Sequence, residues 1–117
     1  MTLFDTHAHY DDEAFDADRD AVLAAFDGLV IDPGCTLASS QTAVDLAARH
    51  PHVYAAVGIH PENCGDFVPE HMDALRQLAR EPKVVAIGEI GLDYYWDDTY
   101  KAEQKELFRR QIELALE

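Results

Sequence analysis

The 117-residue sequence predicts an α/β fold of about four βα units, with a parallel sheet and its helices outside, and three observations carry that prediction. Short apolar runs alternate with stretches of helical periodicity. The alternation has a period of roughly 30 residues, the length of a strand, a helix and the return. Polar residues of chemical interest fall directly after the apolar runs, on what becomes the carboxyl edge of a parallel sheet.

Leu3-Phe4 leading into Asp5, Leu29-Val30-Ile31, Val53 to Val57 and Val84 to Ile87 are the apolar runs. Each is short, and each is followed within a few residues by Gly, Pro or a polar group, so all four read as buried strands. Between them, Phe15 to Phe26 places Val22, Leu23 and Phe26 on one side, and Ser39 to His50 does the same with Val44, Leu46 and Ala47. From about Pro69 to Arg80, Met72, Leu75, Leu78 and Ala79 recur three or four apart, and Pro69 suits a first helical turn. A last helix is expected over about 100–117, with Leu107, Phe108, Ile112, Ala115 and Leu116 facing one way. No sequence motif repeats between the units and no linker or low-complexity tract divides them, so residues 1–117 read as one domain. Four such units make either a small open sheet or half of an eight-unit barrel, which normally needs ~250 residues.

Composition narrows the function classes. An apolar content of 48% beside 27% charged residues is that of a globular chain and is too apolar for a disordered one. No run approaches the ~20 apolar residues of a membrane span, and no basic segment followed by an apolar stretch opens the chain, so the expected location is the cytoplasm. In that reducing compartment Cys35 and Cys64 are expected as free thiols, and neither has a second cysteine at ligand spacing. The formal charge of -14 repels a phosphate backbone, and by itself it argues against a nucleic-acid binder. Bound divalent cations would reverse the sign of the field where it matters.

Three segments carry the chemistry. In Asp5-Thr6-His7-Ala8-His9-Tyr10-Asp11 the two histidines are two apart at the end of a strand. That spacing turns both imidazoles to one face and offers two nitrogens to one cation, with Asp5 as a candidate to orient a ring from behind. In Gly58-Ile59-His60-Pro61 the histidine stands between a strand and a stiffened loop. It is placed either to contact substrate or to hold the loop by hydrogen bonds. In Gly88-Glu89-Ile90-Gly91-Leu92-Asp93-Tyr94-Tyr95 a carboxylate suited to bridging two divalent ions has glycines on both sides, and Asp93, Tyr94 and Tyr95 follow on the same rim. The remaining histidines, His50, His52 and His71, read as surface residues, and Trp96 reads as a cap on the core.

In order and approximate spacing these three segments resemble the first motifs of the TatD family of metal-dependent deoxyribonucleases. The resemblance implies a TIM barrel of the amidohydrolase superfamily that uses one or two divalent metal ions, Mg, Mn or Zn, to trim DNA from its 3′ end. It implies metal ligation by His7, His9 and Glu89, catalytic roles for Glu89 and His60, and a substrate pocket lined by His60, Asp93 and Tyr94. The family's later ligands, two histidines and an aspartate on strands five, six and eight, have no counterpart here, because the sequence stops at Glu117 inside the helix that leads to strand five. The expected protein is therefore the amino-terminal half of such a barrel, incomplete as a catalyst, associating either with a second copy or with the missing carboxyl-terminal half. The alternatives are a hydrolase of the same superfamily acting on another bond and a binding module without turnover.

Overall fold

The computed structural model describes residues 2–117. Among them, β1 (Leu3–Asp5), β2 (Gly28–Pro33), β3 (Val53–Val57) and β4 (Val84–Ile87) alternate with α1 (Arg19–Ala25), α2 (Leu37–Arg49), α3 (Glu70–Ala79) and α4 (Lys101–Leu116). The strands are all parallel and lie side by side in the order β1-β2-β3-β4. A doubly wound sheet reverses its strand order at a switch point, whereas the strands of a closed barrel follow one another around it. The sequential order makes this sheet a four-strand arc of barrel type.

The arc has a covered centre and bare edges. Val30, Val53, Ala55 and Val57 are fully buried on the two middle strands, against Leu23 of α1, Ala43, Leu46 and Ala47 of α2 and Leu75 of α3. The edge strands were expected to be buried, and they are not. All of β1 is exposed, with Leu3 at 51% and Phe4 at 55%, and on β4 Val85 is exposed. The physical reason is position, because each edge strand has a neighbour on one side only. Along β4 a groove of about 650 Å³ opens, lined by Val84, Val85, Ala86, Ile87, Ala79 and Leu114 among others.

The helices depart from the expected spans where polar residues take over the backbone. In place of a helix from Phe15, a 3₁₀ turn over Glu13–Phe15 is capped by the Asp12 side chain, and α1 begins only at Arg19. Asp16 and Asp18 stand in between, and short acidic side chains compete for backbone hydrogen bonds and favour caps and turns over helix interiors. Helix α2 starts two residues before the expected Ser39, because Thr36 accepts the Ser39 N–H and Ser39 reciprocates, closing a capping box. On α4 the buried stripe is Gln104, Leu107, Gln111 and Leu114, while Ile112 and Leu116 are exposed. The two glutamines are buried because each completes two backbone bonds. Gln111 accepts the Ile59 N–H at 2.8 Å and donates to the Ile59 carbonyl at 3.0 Å, and Gln104 does the same for Asp93 at 2.8 and 2.7 Å. Helix α4 thereby holds the loops that follow β3 and β4.

His50 and His52, expected on the surface, are half-buried and tie the start of β3 to α1. The ring Nε2 of His52 lies 2.7 Å from the Leu23 carbonyl, and that of His50 lies 2.9 Å from an Asp20 carboxylate oxygen. No helix among the described residues is long and apolar enough to cross a membrane.

One glycine pair sets the distance between the ends of β3 and β4. A Cβ on Gly58 would fall 2.7 Å from the Gly88 carbonyl carbon and 2.8 Å from its oxygen. Gly58→Ala is therefore expected to cost roughly 1–3 kcal/mol by forcing these backbones apart, measured by denaturant unfolding. An unchanged midpoint would contradict the close approach.

Candidate metal site

Asp5 ends β1, and the chain then curls so that His7 and His9 lie over the carboxyl edge of the sheet. The turn is held at several points. The Asp5 carboxylate accepts the His7 N–H at 3.1 Å, and the Ala8 N–H reaches the Ile31 carbonyl of β2 at 3.2 Å. Arg19 clamps the following loop from outside by donating to the backbone carbonyls of Tyr10, Asp11 and Asp12. Asp5 thus bonds the backbone of His7, not a ring as the sequence suggested.

Glu89 comes to the same place from the far side of the sheet. Its N–H donates to the Gly34 carbonyl at 2.7 Å, while the Gly88 N–H holds the Val57 carbonyl at 3.0 Å. Its two carboxylate oxygens then divide between the histidines, Oε1 at 3.4 Å from His7 Nε2 and Oε2 at 3.2 Å from His9 Nε2. The two Nε2 atoms are themselves 3.2 Å apart, and the rings meet edge to face. Two imidazoles turning the same nitrogen to one carboxylate offer donor atoms of the kind a divalent cation takes, all within 4.8 Å of one another, and the chemistry of these residues fits such an ion.

The second strand also contributes, and here the sequence reading fell short. Cys35, just past β2, places Sγ 3.3 Å from Glu89 Oε2. Burial first, and then the Glu89 carboxylate, push its thiol up to about 12, so it stands as a protonated donor to Glu89. Asp32, inside β2, is fully buried; Oδ2 accepts the Asp11 N–H at 3.0 Å, and Oδ1 has no partner. Burial and then the adjacent Asp11 carboxyl push Asp32 up to about 8. Asp11 Oδ1 lies 3.7 Å from His9 Nδ1 and is likewise buried without a hydrogen bond. The signal was present, since Asp32-Pro33-Gly34-Cys35 ends an apolar run just as the other three segments do.

A family model, TatD related DNase, matches residues 4–117. The chain belongs to the TatD-related DNase family. It is 39% identical over 119 residues to the uncharacterized metal-dependent hydrolase YabD of Bacillus subtilis strain 168, covering 98% of this chain and 47% of that protein. It is 37% identical over 120 residues to the 3′-5′ ssDNA/RNA exonuclease TatD of Salmonella typhimurium strain LT2, covering 98% of this chain and 46% of that protein. Among solved structures it superposes on the TatD homolog YJJV of Escherichia coli K12 with a TM-score of 0.87 at 34% identity, over 97% of this chain and 46% of that one. The chain thus spans about half the length of the relatives it matches, and the four-strand arc is a partial TatD-type barrel.

The remaining residues of TatD-like motifs stand around the rim without hydrogen bonds to His7, His9 or Glu89 among the described residues. His60 caps a 3₁₀ turn over Pro61–Asp66, its Nδ1 accepting the Glu62 N–H at 3.1 Å. That is the loop-holding arrangement weighed for it above, and it leaves Nε2 as the atom that can meet a ligand. Asp93 turns Oδ1 to the Tyr95 N–H at 3.0 Å, and the Tyr94 ring has the Lys101 ammonium 5.1 Å from its centre. Trp96, read from sequence as a core cap, is instead 75% exposed and stacks edge to face on Tyr95. It follows the last buried contact of its loop, the Gln104 clamp on Asp93, and lies at the wall of a cavity shared with Pro61, Cys64 and Tyr100.

Proposed function

We propose that this chain supplies the amino-terminal half, residues 1–117, of a metal-dependent phosphodiesterase that trims single-stranded nucleic acid, DNA foremost, from its 3′ end. The observation that carries the proposal is the convergence of His7 Nε2, His9 Nε2 and the Glu89 carboxylate at one point of the carboxyl rim. Family membership and the printed activity of the Salmonella relative support it.

His7, His9 and Glu89 hold one or two divalent ions in this reading, with Mg, Mn and Zn all compatible with mixed nitrogen and oxygen donors. When bound, such an ion supplies Lewis-acid polarisation of the phosphoryl group and offsets the charge that develops there. Glu89 spans both imidazoles, and the Cys35 thiol fixes the rotation of its carboxylate. Asp93 and Tyr94 line the substrate path, and His60 offers Nε2 to the phosphate or to the leaving oxygen. With a net charge of -14 the surface contributes no phosphate attraction of its own, so substrate must be drawn by the metal ions and by stacking on rim aromatics. The proposed compartment is the cytoplasm, and the proposed superfamily is that of the amidohydrolases.

The test is degradation of 3′-labelled single-stranded DNA and RNA with manganese or magnesium, by a form of the protein extended past Glu117, with and without chelator. Stepwise loss of the label, abolished by chelator, is expected. Cleavage of small phosphate esters or amides with nucleic acid left intact would transfer the site to another bond.

A further inference from the structure

We infer that Asp32 is a positioning residue for the metal site, setting through Asp11 the orientation of the His9 ring. The inference rests on His9 being a ligand, as proposed above, and adds a residue from a strand that carries none of the family-like motifs.

The path is short: one hydrogen bond from Asp11 to Asp32, then an approach of the Asp11 carboxylate to the His9 ring at 3.7 Å, longer than a hydrogen bond. Asp32 is fully buried in β2, and its Oδ2 fixes the Asp11 N–H at 3.0 Å. That bond ties the loop after β1 to the neighbouring strand at the second residue beyond His9. The Asp11 carboxylate is thereby held 3.7 Å from His9 Nδ1, on the opposite side of the ring from Glu89, which is 3.2 Å from Nε2. A carboxylate behind a ligand imidazole keeps the proton on the rear nitrogen and the front lone pair free for the cation, and loss of such a partner typically weakens metal binding about 10–100-fold. Among the described residues His7 has no such partner: Asp5, its nearest acid in sequence, bonds its backbone. The two imidazoles are thus held differently: the Ala8 N–H ties the turn between them to the Ile31 carbonyl of β2, but among the described residues only His9 has a β2-anchored carboxylate behind its ring.

Geometry also says which substitutions matter. The oxygens Asp32 Oδ1 and Asp11 Oδ1 are both buried and without hydrogen-bond partners. An asparagine at position 32 keeps a carbonyl for the Asp11 N–H and adds an amide that can donate to the Asp11 carboxylate, whereas alanine removes the anchor altogether.

The experiment is zinc titration by calorimetry on the full chain and on Asp32→Asn, Asp32→Ala and Asp11→Ala, with nitrogen-15 spectra of the histidine rings in the zinc-loaded state. Asp32→Asn should bind zinc within about threefold of the unsubstituted chain, while Asp32→Ala and Asp11→Ala lose about tenfold or more. The protected Nδ1–H signal of His9 should survive in Asp32→Asn and be lost in the alanine variants, with His7 unmoved in all. A purely structural role for Asp32 would lower the melting temperature without separating His9 from His7. If Asp32→Ala does not fold, Asp11→Ala, a change in the loop, carries the same comparison. Unchanged zinc affinity and an unchanged His9 signal in the folded alanine variants overturn the inference alone. Absence of zinc binding by the unsubstituted chain overturns the metal reading and the inference with it.

Discussion

Glu89→Ala is expected to lower divalent-cation affinity by about a hundredfold or more, the largest effect of any single side chain in the site. Among the described residues Glu89 is the only carboxylate that meets both imidazole Nε2 atoms, and its removal leaves two imidazole nitrogens without an anionic partner between them. His7→Ala should follow closely, because it removes one of three converging donors and frees the carboxylate to rotate. His71→Ala is the control. That ring sits at the start of α3, its Nδ1 accepting the Val68 N–H at 3.3 Å and its ring edge to face with Phe67, with no hydrogen bond or ion pair to His7, His9 or Glu89 among the described residues. Elemental analysis after dialysis, with calorimetric titration of manganese or zinc, reads all three. Equal occupancy in the three variants would mean that the cation is held elsewhere.

What the sequence disclosed, and what it hid, divides along a physical line. Strand-end histidines two apart and a glycine-flanked glutamate are visible because spacing along one strand determines which side chains share a face, and because parallel sheets collect their strand ends on one edge. The convergence of His7, His9 and Glu89 follows from these local facts. The place of Asp32 and Cys35 at a strand end is legible, but their partners are not, because their importance is lateral. Asp32 matters through an N–H of the loop after β1, 21 residues earlier, and Cys35 through a carboxylate 54 residues away. The stripe of α4 was misread for a related reason: hydrophobicity marks the buried face only if burial is apolar, and here Gln104 and Gln111 are buried as clamps on the backbone of Asp93 and Ile59. Trp96 shows the converse, a large apolar side chain that stays 75% exposed against Tyr95.

Taken by itself, the 117-residue chain is expected to cleave 3′-labelled DNA about a hundredfold or more slowly than a form extended past Glu117, and to self-associate at micromolar concentration. The bare edges motivate both halves of the prediction. β1 presents Leu3 and Phe4 to water, β4 presents Val85, and among the described residues each leaves one side of its backbone without a strand partner. Unpaired parallel edges that carry apolar side chains recruit another edge, and a barrel removes the problem only by closing. The groove of about 650 Å³ along β4, between that strand and the ends of α3 and α4, is where a following strand and helix would seat. A second copy related by a two-fold axis offers a similar edge and restores bulk. It does not restore chemistry, since it brings another His7, His9 and Glu89 and none of the ligands that the family-like pattern places on later strands. Adding the carboxyl-terminal half in trans should therefore disperse the self-associated form and raise cleavage together, whereas adding more of the same chain should raise association only. Sedimentation velocity run beside the DNA assay separates these outcomes. A monomeric chain that degrades DNA as fast as the extended form would show that three converging donors suffice and that the open edges are tolerated.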